Sequence, residues 1–322
     1  MNYASMCGIS VLQLFRVFRS ASGGVFLRHL CATAGLSFGG LRVRAYILIA
    51  ALLLQPFSLS GSWQVTRNAK AAETFANYIR ATESRNNSEL QGGKELLWID
   101  GLPDAARKKA YTELGQGEVQ LRQRTPLEGG RQIQCPGCMI HHWEGLVFIP
   151  QAHLEDVLRV LQDYNHHAEY FAPDVMQSRI EARNGDHFRV FLRFRRQKVI
   201  TVVLNTEHEI TYFRDSADRA HSRSSATHIG EVENAGKANE REKPPGDDNG
   251  FLWGMETWWR MQEKDNGVYV QSEIVSLTRD IPTGLGWMIG PFISAVPKES
   301  LNFTLAATRK AVLAQLRGKN SK

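Results

Sequence analysis

The strongest constraint on this chain is a change of hydrophobic period near residue 175. From there to residue 278 apolar positions recur every second residue, in runs separated by turn residues, which is the pattern of half-buried β-strands. The runs are 175–182, 187–195, 199–213, 219–232, 251–263 and 268–278. Asn184-Gly185-Asp186 and Asp265-Asn266-Gly267 are hairpin signals, because such residues accept the positive φ that a tight turn between twisted strands demands. Phe188, Val190, Leu192 and Phe194 alternate with Arg189, Arg193 and Arg195, so one sheet face is expected to meet a core and the other water.

Helical periods flank this block. Leu146–Pro150 reads as a short buried strand, and Leu154, Val157, Leu158 and Leu161 follow with the spacing of an amphipathic helix. After the strands, 287–296 is an apolar helix, and Pro297 and Glu299 open a further helix striped by Leu301, Leu305, Val312 and Leu316. On the N-terminal side a helix is predicted over Val65–Ser84, broken by Asn86-Asn87-Ser88, and another from Pro103-Asp104 to Leu114. The predicted divisions are a leader (1–60), a helical extension (61–116), a domain (117–318) with a mobile loop at 233–250, and a tail (319–322).

The leader holds five of the 39 basic residues and no acid, which leaves 34 basic against 33 acidic residues in the rest. So neutral a body offers no phosphate-tracking surface, and no nucleic-acid partner is expected. Ala45–Leu54 is an unbroken run of ten apolar or aromatic residues, preceded by Arg42 and Arg44 and followed by Ser58-Leu59-Ser60-Gly61. A spanning helix needs about 20 apolar residues, so the run reads as a secretory signal cleaved near Ser60. An organelle presequence and an uncleaved membrane anchor are the alternatives, and the body is expected to be exported (periplasmic or extracellular) or held at a membrane. Gly35-Leu36-Ser37-Phe38-Gly39 matches a nucleophile elbow, yet it falls in the leader, away from the strand, helix and partners that an elbow requires.

The order of strand, helix, antiparallel strands and long C-terminal helix resembles the helix-grip fold of the START and polyketide-cyclase/aromatase superfamily (SRPBCC). Phe148-Ile149-Pro150 with Glu155-Asp156-Val157 resembles the family's opening strand and helix, and Asp163-Tyr164 with Phe171-Ala172-Pro173-Asp174-Val175 its next element. Ser225-Ala226-Thr227-His228-Ile229 and Ser276-Leu277-Thr278-Arg279-Asp280-Ile281-Pro282 resemble its late strands. The resemblance covers residues 143–316 and implies an α+β fold in which a curved antiparallel sheet wraps the C-terminal helix. It also implies a cavity for a lipid, quinone, sterol or polyketide-like molecule, bound and carried by some members and cyclised or dehydrated by others. Fold analogy cannot choose between these. Binding or transport of a hydrophobic small molecule is the first reading, a cyclase- or dehydratase-like enzyme the second, and an interaction module whose N-terminal helices dock a partner the third.

The candidate ligand-binding residues are Phe188, Val190, Leu192 and Phe194 on one strand and Val202, Leu204, His208, Ile210 and Tyr212 on the next. Trp253, Met255 and Trp259 on the aromatic-rich strand join them, with Met288 and Phe292 near the mouth. His208 shares a face with an apolar run and is the one candidate for acid or base chemistry, assisted by a carboxylate or arginine nearby. Other strand polar groups, among them Arg223, His228, Glu256, Arg260 and Glu273, read as surface salt bridges, and His166 and His167 as imidazolium groups at a helix end. Cys135-Pro136-Gly137-Cys138 is open to three readings: a local disulfide or inert thiols, a redox couple, or a metal site completed by His141 and His142. Adjacent histidines on a strand point to opposite faces, which weighs against metal. Gly284-Leu285-Gly286-Trp287-Met288-Ile289-Gly290 departs by one position from a dinucleotide loop. No cofactor is expected.

Overall fold

A computed structural model describes residues 60–92, 96–128, 130–197, 200–280 and 286–320, with side chains except at 60–68, 128, 286–294 and 320. The leader, with Cys7, Cys31 and the Gly-x-Ser-x-Gly run, lies outside the described residues, as do Gly284 and Leu285. In chain order come α1 (Ser60–Gly92), α2 (Asp104–Gly115), β1 (Gln120–Gln123), β2 (Leu127–Glu128), β3 (Arg131–Gln132) and β4 (Cys138–Pro150). Next are α3 (Leu154–Gln162), a 3-10 turn (Tyr164–His166), α4 (His167–Tyr170), β5 (Val175–Asn184), β6 (His187–Gln197), β7 (Thr201–Arg214) and β8 (Arg219–Glu233). β9 (Arg241–Glu242), β10 (Gly254–Lys264), β11 (Gly267–Arg279) and α5 (Gly286–Asn320) complete it.

One antiparallel sheet runs in the order β1-β4-β11-β10-β8-β7-β6-β5, with β9 paired to β8. This is the helix-grip architecture: a long meander closed by β4, with α5 laid against the inner face. Leu301, Leu305 and Val312 of α5 are wholly buried against Val147, Ile149, Val268 and Val270. The approach is close at Gly145, where a Cβ would stand 2.5 Å from Leu305 Cδ1 and 3.0 Å from Leu301 Cγ. In the β10–β11 hairpin the positive φ falls on Asp265 and Asn266 (55° and 56°), while Gly267 opens β11. A side chain there would meet the Ile149 carbonyl oxygen at 2.5 Å.

Three expectations are corrected. The N-terminal helix runs on through Asn86-Asn87-Ser88 to Gly92, because Asn86 is 2% exposed and accepts a hydrogen bond from Arg260. Tertiary contact there outweighs a weak local preference. β4 starts at Cys138 rather than Leu146; His141, His142 and Glu144 are buried polar residues that disguise a strand covered on both faces. The two predicted C-terminal helices are one, and Pro297 lies inside it, since the apolar stripe beyond Pro297 holds the helix to the sheet. The 233–250 segment makes contacts at Glu240 with Arg193 (2.8 Å), Glu242 with Asn205 (2.7 Å), Lys243 with Glu231 (2.7 Å) and Asp248 with Trp253 Nε1 (2.6 Å).

α1 and α2 occupy the outer face of the same sheet. Phe75, Tyr78 and Ile79 of α1 meet Trp258, Val275 and Ile140, and Leu97, Ile99, Ala110 and Leu114 meet Leu146, Phe148 and Tyr269. The extension therefore docks on its own sheet. Among the described residues no helix is long and apolar enough to cross a membrane.

Candidate functional site

The registers define three rows across the inner face. The first is Tyr212, Ser222, Trp259, Ser272 and Gly145; the second is Ile210, Ser224, Thr257, Ile274 and Trp143; the third has His208 paired with Ala226 on one side and Met255, Ser276 and His141 on the other, where the β8–β10 pairing has ended. Phe188, Val190, Leu192 and Phe194 of β6 lie opposite Ile210, His208, Thr206 and Leu204. A bulge between Glu207 and His208 shifts the β7–β8 pairing by one residue, which bends the sheet.

This face divides in two. Phe188, Val190, Ile210 and Tyr212 are fully covered by Leu158, Leu161 and Tyr164, and Tyr212 shares a hydrogen bond with Tyr164 at 2.7 Å. These four candidates are packed core. Leu192, Phe194, Val202, Leu204, Met255, Trp259 and Ile274 keep partial solvent access. Open space beside apolar side chains is the condition for a ligand cavity. Trp253 does not join them: it precedes β10 and packs on the outer side with Ala71, Phe75, Cys138 and Leu277, so the alternation does not reach it. Met288 and Phe292 belong to α5, but their side chains lie outside those described.

His208 is 3% exposed and shares a hydrogen bond with Thr206 Oγ1 at 2.9 Å, while Ser224 Oγ lies 3.4 Å from its Nδ1. Burial pushes the imidazole down to about 4, so it is neutral at pH 7. Its partners are hydroxyls, and the carboxylate or arginine that the catalytic reading asks for is not among them. Burial likewise lowers His141, which bonds Thr278 Oγ1 at 3.0 Å. His167 is a buried neutral ring, pushed down to about 4 by burial and hydrogen-bonded to the Val160 carbonyl, rather than an imidazolium. Three buried polar atoms of the first two rows have no hydrogen-bond partner among the described residues: Ser222 Oγ, Ser272 Oγ and Trp143 Nε1. Sequence reasoning missed all three, since small serines between apolar residues carry no signal of their own.

The metal alternative does not form. Cys135 and Cys138 are joined in a disulfide, His141 faces inward, and His142 faces outward to Tyr78 Oη (2.6 Å) and Glu273 (2.5 Å). Among the described residues no cluster could hold a metal ion. Gly286–Gly290 is the first turn of α5 after an antiparallel sheet, which is not the parallel setting of a dinucleotide site.

The outer face holds the groups expected to be surface ion pairs, and two are buried beneath α1. Glu273 (1% exposed) pairs with Arg85 and His142, and Arg260 (4% exposed) with Asn86, Glu89 (2.6 Å) and the Leu96 carbonyl (3.1 Å). Glu144 takes Arg122 (2.7 Å) and Arg124 (3.1 Å). Burial alone would raise the Glu273 carboxyl, but the His142 hydrogen bond and the Arg85 charge outweigh it and hold the group at about 2. Beside this network, between α1 and the outer side of β7 and β8, lies a hollow of about 480 Å³ that includes Glu83, Asn87, Thr211, Phe213 and Arg223. Arg223 is engaged there by Glu83 and by Glu256 (3.5 Å), so its charge is met within the protein. His228 is an exposed partner of Glu242 (2.8 Å).

No family model matches the chain, and no curated protein matches it. Among solved structures it is similar to a STAR-related lipid transfer protein from Xanthomonas axonopodis (17% identity, 60% of this chain and 98% of that one, TM-score 0.38). It is also similar to human STARD10 (12% identity, 68% and 84% coverage, TM-score 0.40). A third is the Zhui aromatase/cyclase from a Streptomyces species (16% identity, 55% and 96% coverage, TM-score 0.37). The chain's own strand order and helix placement give the helix-grip fold, and the solved structures similar to it include STAR-related lipid transfer and aromatase/cyclase proteins.

Proposed function

We propose that this protein binds a hydrophobic small molecule between the inner sheet face and α5. The observation that carries this reading is the half-open apolar patch formed by Leu192, Phe194, Leu204, Met255, Trp259 and Ile274 beside the fully packed Phe188, Val190, Ile210 and Tyr212. Binding is favoured over turnover because His208, the one candidate acid or base, is held neutral among hydroxyls, and a group at about 4 is a weak base at pH 7. The decisive experiment is native mass spectrometry with organic extraction on the protein purified without detergent, paired with a Leu204→Trp variant that fills the patch. A lipophile present in the parent and lost from a folded Leu204→Trp variant supports the reading. Equal occupancy in both refutes this location.

Export is part of the proposal. It is supported by the leader's acid-free, apolar sequence and by the Cys135–Cys138 disulfide, since such bonds persist mainly in oxidising compartments. Cell fractionation with N-terminal sequencing tests it: a mature start near residue 61 outside the cytoplasm supports export, and an intact cytoplasmic chain contradicts it.

A further inference from the structure

The inner face is notable for the charge it lacks. The three rows between β7 and β4 contain hydroxyls, apolar groups, tryptophans and two histidines, with no Asp, Glu, Lys or Arg at any of their positions. The sequence of the covering helix is also uncharged from Gly286 to Pro297. Charged groups near this face lie beyond the rows and are mostly paired: Arg196 with Asp174 (2.7 Å), and Glu231 with Lys243 (2.7 Å). Lys298, exposed, holds its Nζ 5.9 Å from the centre of the Trp143 ring.

Within this uncharged interior the polar atoms without partners are clustered. Ser222 and Ser272 flank Trp259 in a single row, and Trp143 is cross-strand from Ile274, two residues along β11 from Ser272. Ser222 is 1% exposed, Ser272 0% and Trp143 9%, and each has a buried side-chain polar atom without a hydrogen bond. Trp259, between the serines, is only partly covered. A buried donor left unpaired is costly, and a ligand oxygen brought to this arc would relieve that cost.

Resting on the binding reading above, we propose that the cavity selects an uncharged apolar molecule carrying a carbonyl or hydroxyl oxygen, with that oxygen received by Ser272 and Trp143 beside Trp259. A carboxylate or ammonium of the same size would have to be desolvated without a buried counter-charge, which costs about a hundredfold or more in affinity. A hydrocarbon with no oxygen would leave the arc unpaired. Both donors are neutral, so a ketone satisfies them without the desolvation penalty of an ion.

The test is displacement of Nile red from the full-length protein at pH 8 by molecules of one chain length: 2-decanone, 1-decanol, decanoate and decylammonium. The expected result is displacement by the ketone and the alcohol, with both ions weaker by about a hundredfold or more. Trp143→Phe and Ser272→Ala, the second of which removes only a hydroxyl and keeps the fold, should each weaken 2-decanone about 3- to 10-fold. Decanoate binding as tightly as 1-decanol would overturn the proposal and point to Lys298 as a counter-charge. Unchanged 2-decanone affinity in both variants would overturn the assignment of the arc. Failure of Nile red and all four molecules to bind would instead overturn the binding reading itself, and this inference with it.

Discussion

Glu273 and His208 are both buried and titrate in opposite senses of charge, so acid acts on them in separate windows. Glu273 sits at about 2 against an ordinary 4.5; its stabilising contribution is complete above about pH 4.5 and is lost as pH falls through 2, on the order of 3 kcal/mol in all. His167 and His208 sit at about 4 against 6.5. The unfolded chain binds their protons first, so stability falls as pH drops from 6.5 toward 4. Urea unfolding between pH 7 and 3 should show both losses. Glu273→Gln should be less stable at pH 7, because Arg85 loses its partner, and should fall less steeply below pH 4.5 than the parent; an unchanged acid slope would contradict the assignment. His208→Asn should be flatter between pH 6.5 and 4. Alternation places His208 and Trp259 on the inner face without a structure. It could not disclose that Arg260 and Glu273 are buried, because the cover comes from a helix more than 170 positions away in the chain (Asn86 to Arg260).

At the scale of elements, α5 depends on the absence of a side chain at Gly145. Leu305 Cδ1, Leu121 Cδ2 and Leu301 Cγ would stand 2.5, 2.9 and 3.0 Å from a Cβ there, so Gly145→Ala is expected to cost about 1–3 kcal/mol by overpacking. Leu305→Ala, in the same contact, should cost about 2–5 kcal/mol through a cavity. Thermal unfolding of both variants checks these values, and a neutral Gly145→Ala would mean that α5 does not lie this close. The long strands were legible because their period of two survives over ten or more residues and their turns carry Gly, Asn or Asp. β4 was legible only in its apolar half, because its first half buries His141, His142 and Glu144 against partners distant in sequence. The joining of two predicted helices across Pro297 was not legible, since local rules end a helix there.

For the whole molecule, the extension behaves as part of the fold. Removing residues 60–116 would uncover Leu146, Phe148 and Tyr269, leave Arg260 without Asn86, Glu89 and the Leu96 carbonyl, and take Arg85 from Glu273. Such a truncation is expected to be insoluble or to lose a cooperative melt, whereas an autonomous docking arm would leave a folded strand-rich remainder. Circular dichroism melts of the two chains distinguish these outcomes. The antiparallel meander was legible from strand order, but the side of the sheet taken by α1 was not, because an amphipathic stripe does not say which face it covers.

The two coverings of the sheet are unequal, and that asymmetry has a dynamic consequence. β11 is buried at almost every position and lies between α1 on one side and α5 on the other, whereas β5, at the edge, is exposed along most of its length. Amide protons should therefore exchange with solvent slowest in β4 and β11 and progressively faster toward β5. Any breathing that admits a guest would then begin at the β5–β6 margin while the β4–β11 half stays closed. Deuterium uptake that is even across all strands would show a shell that opens as one piece.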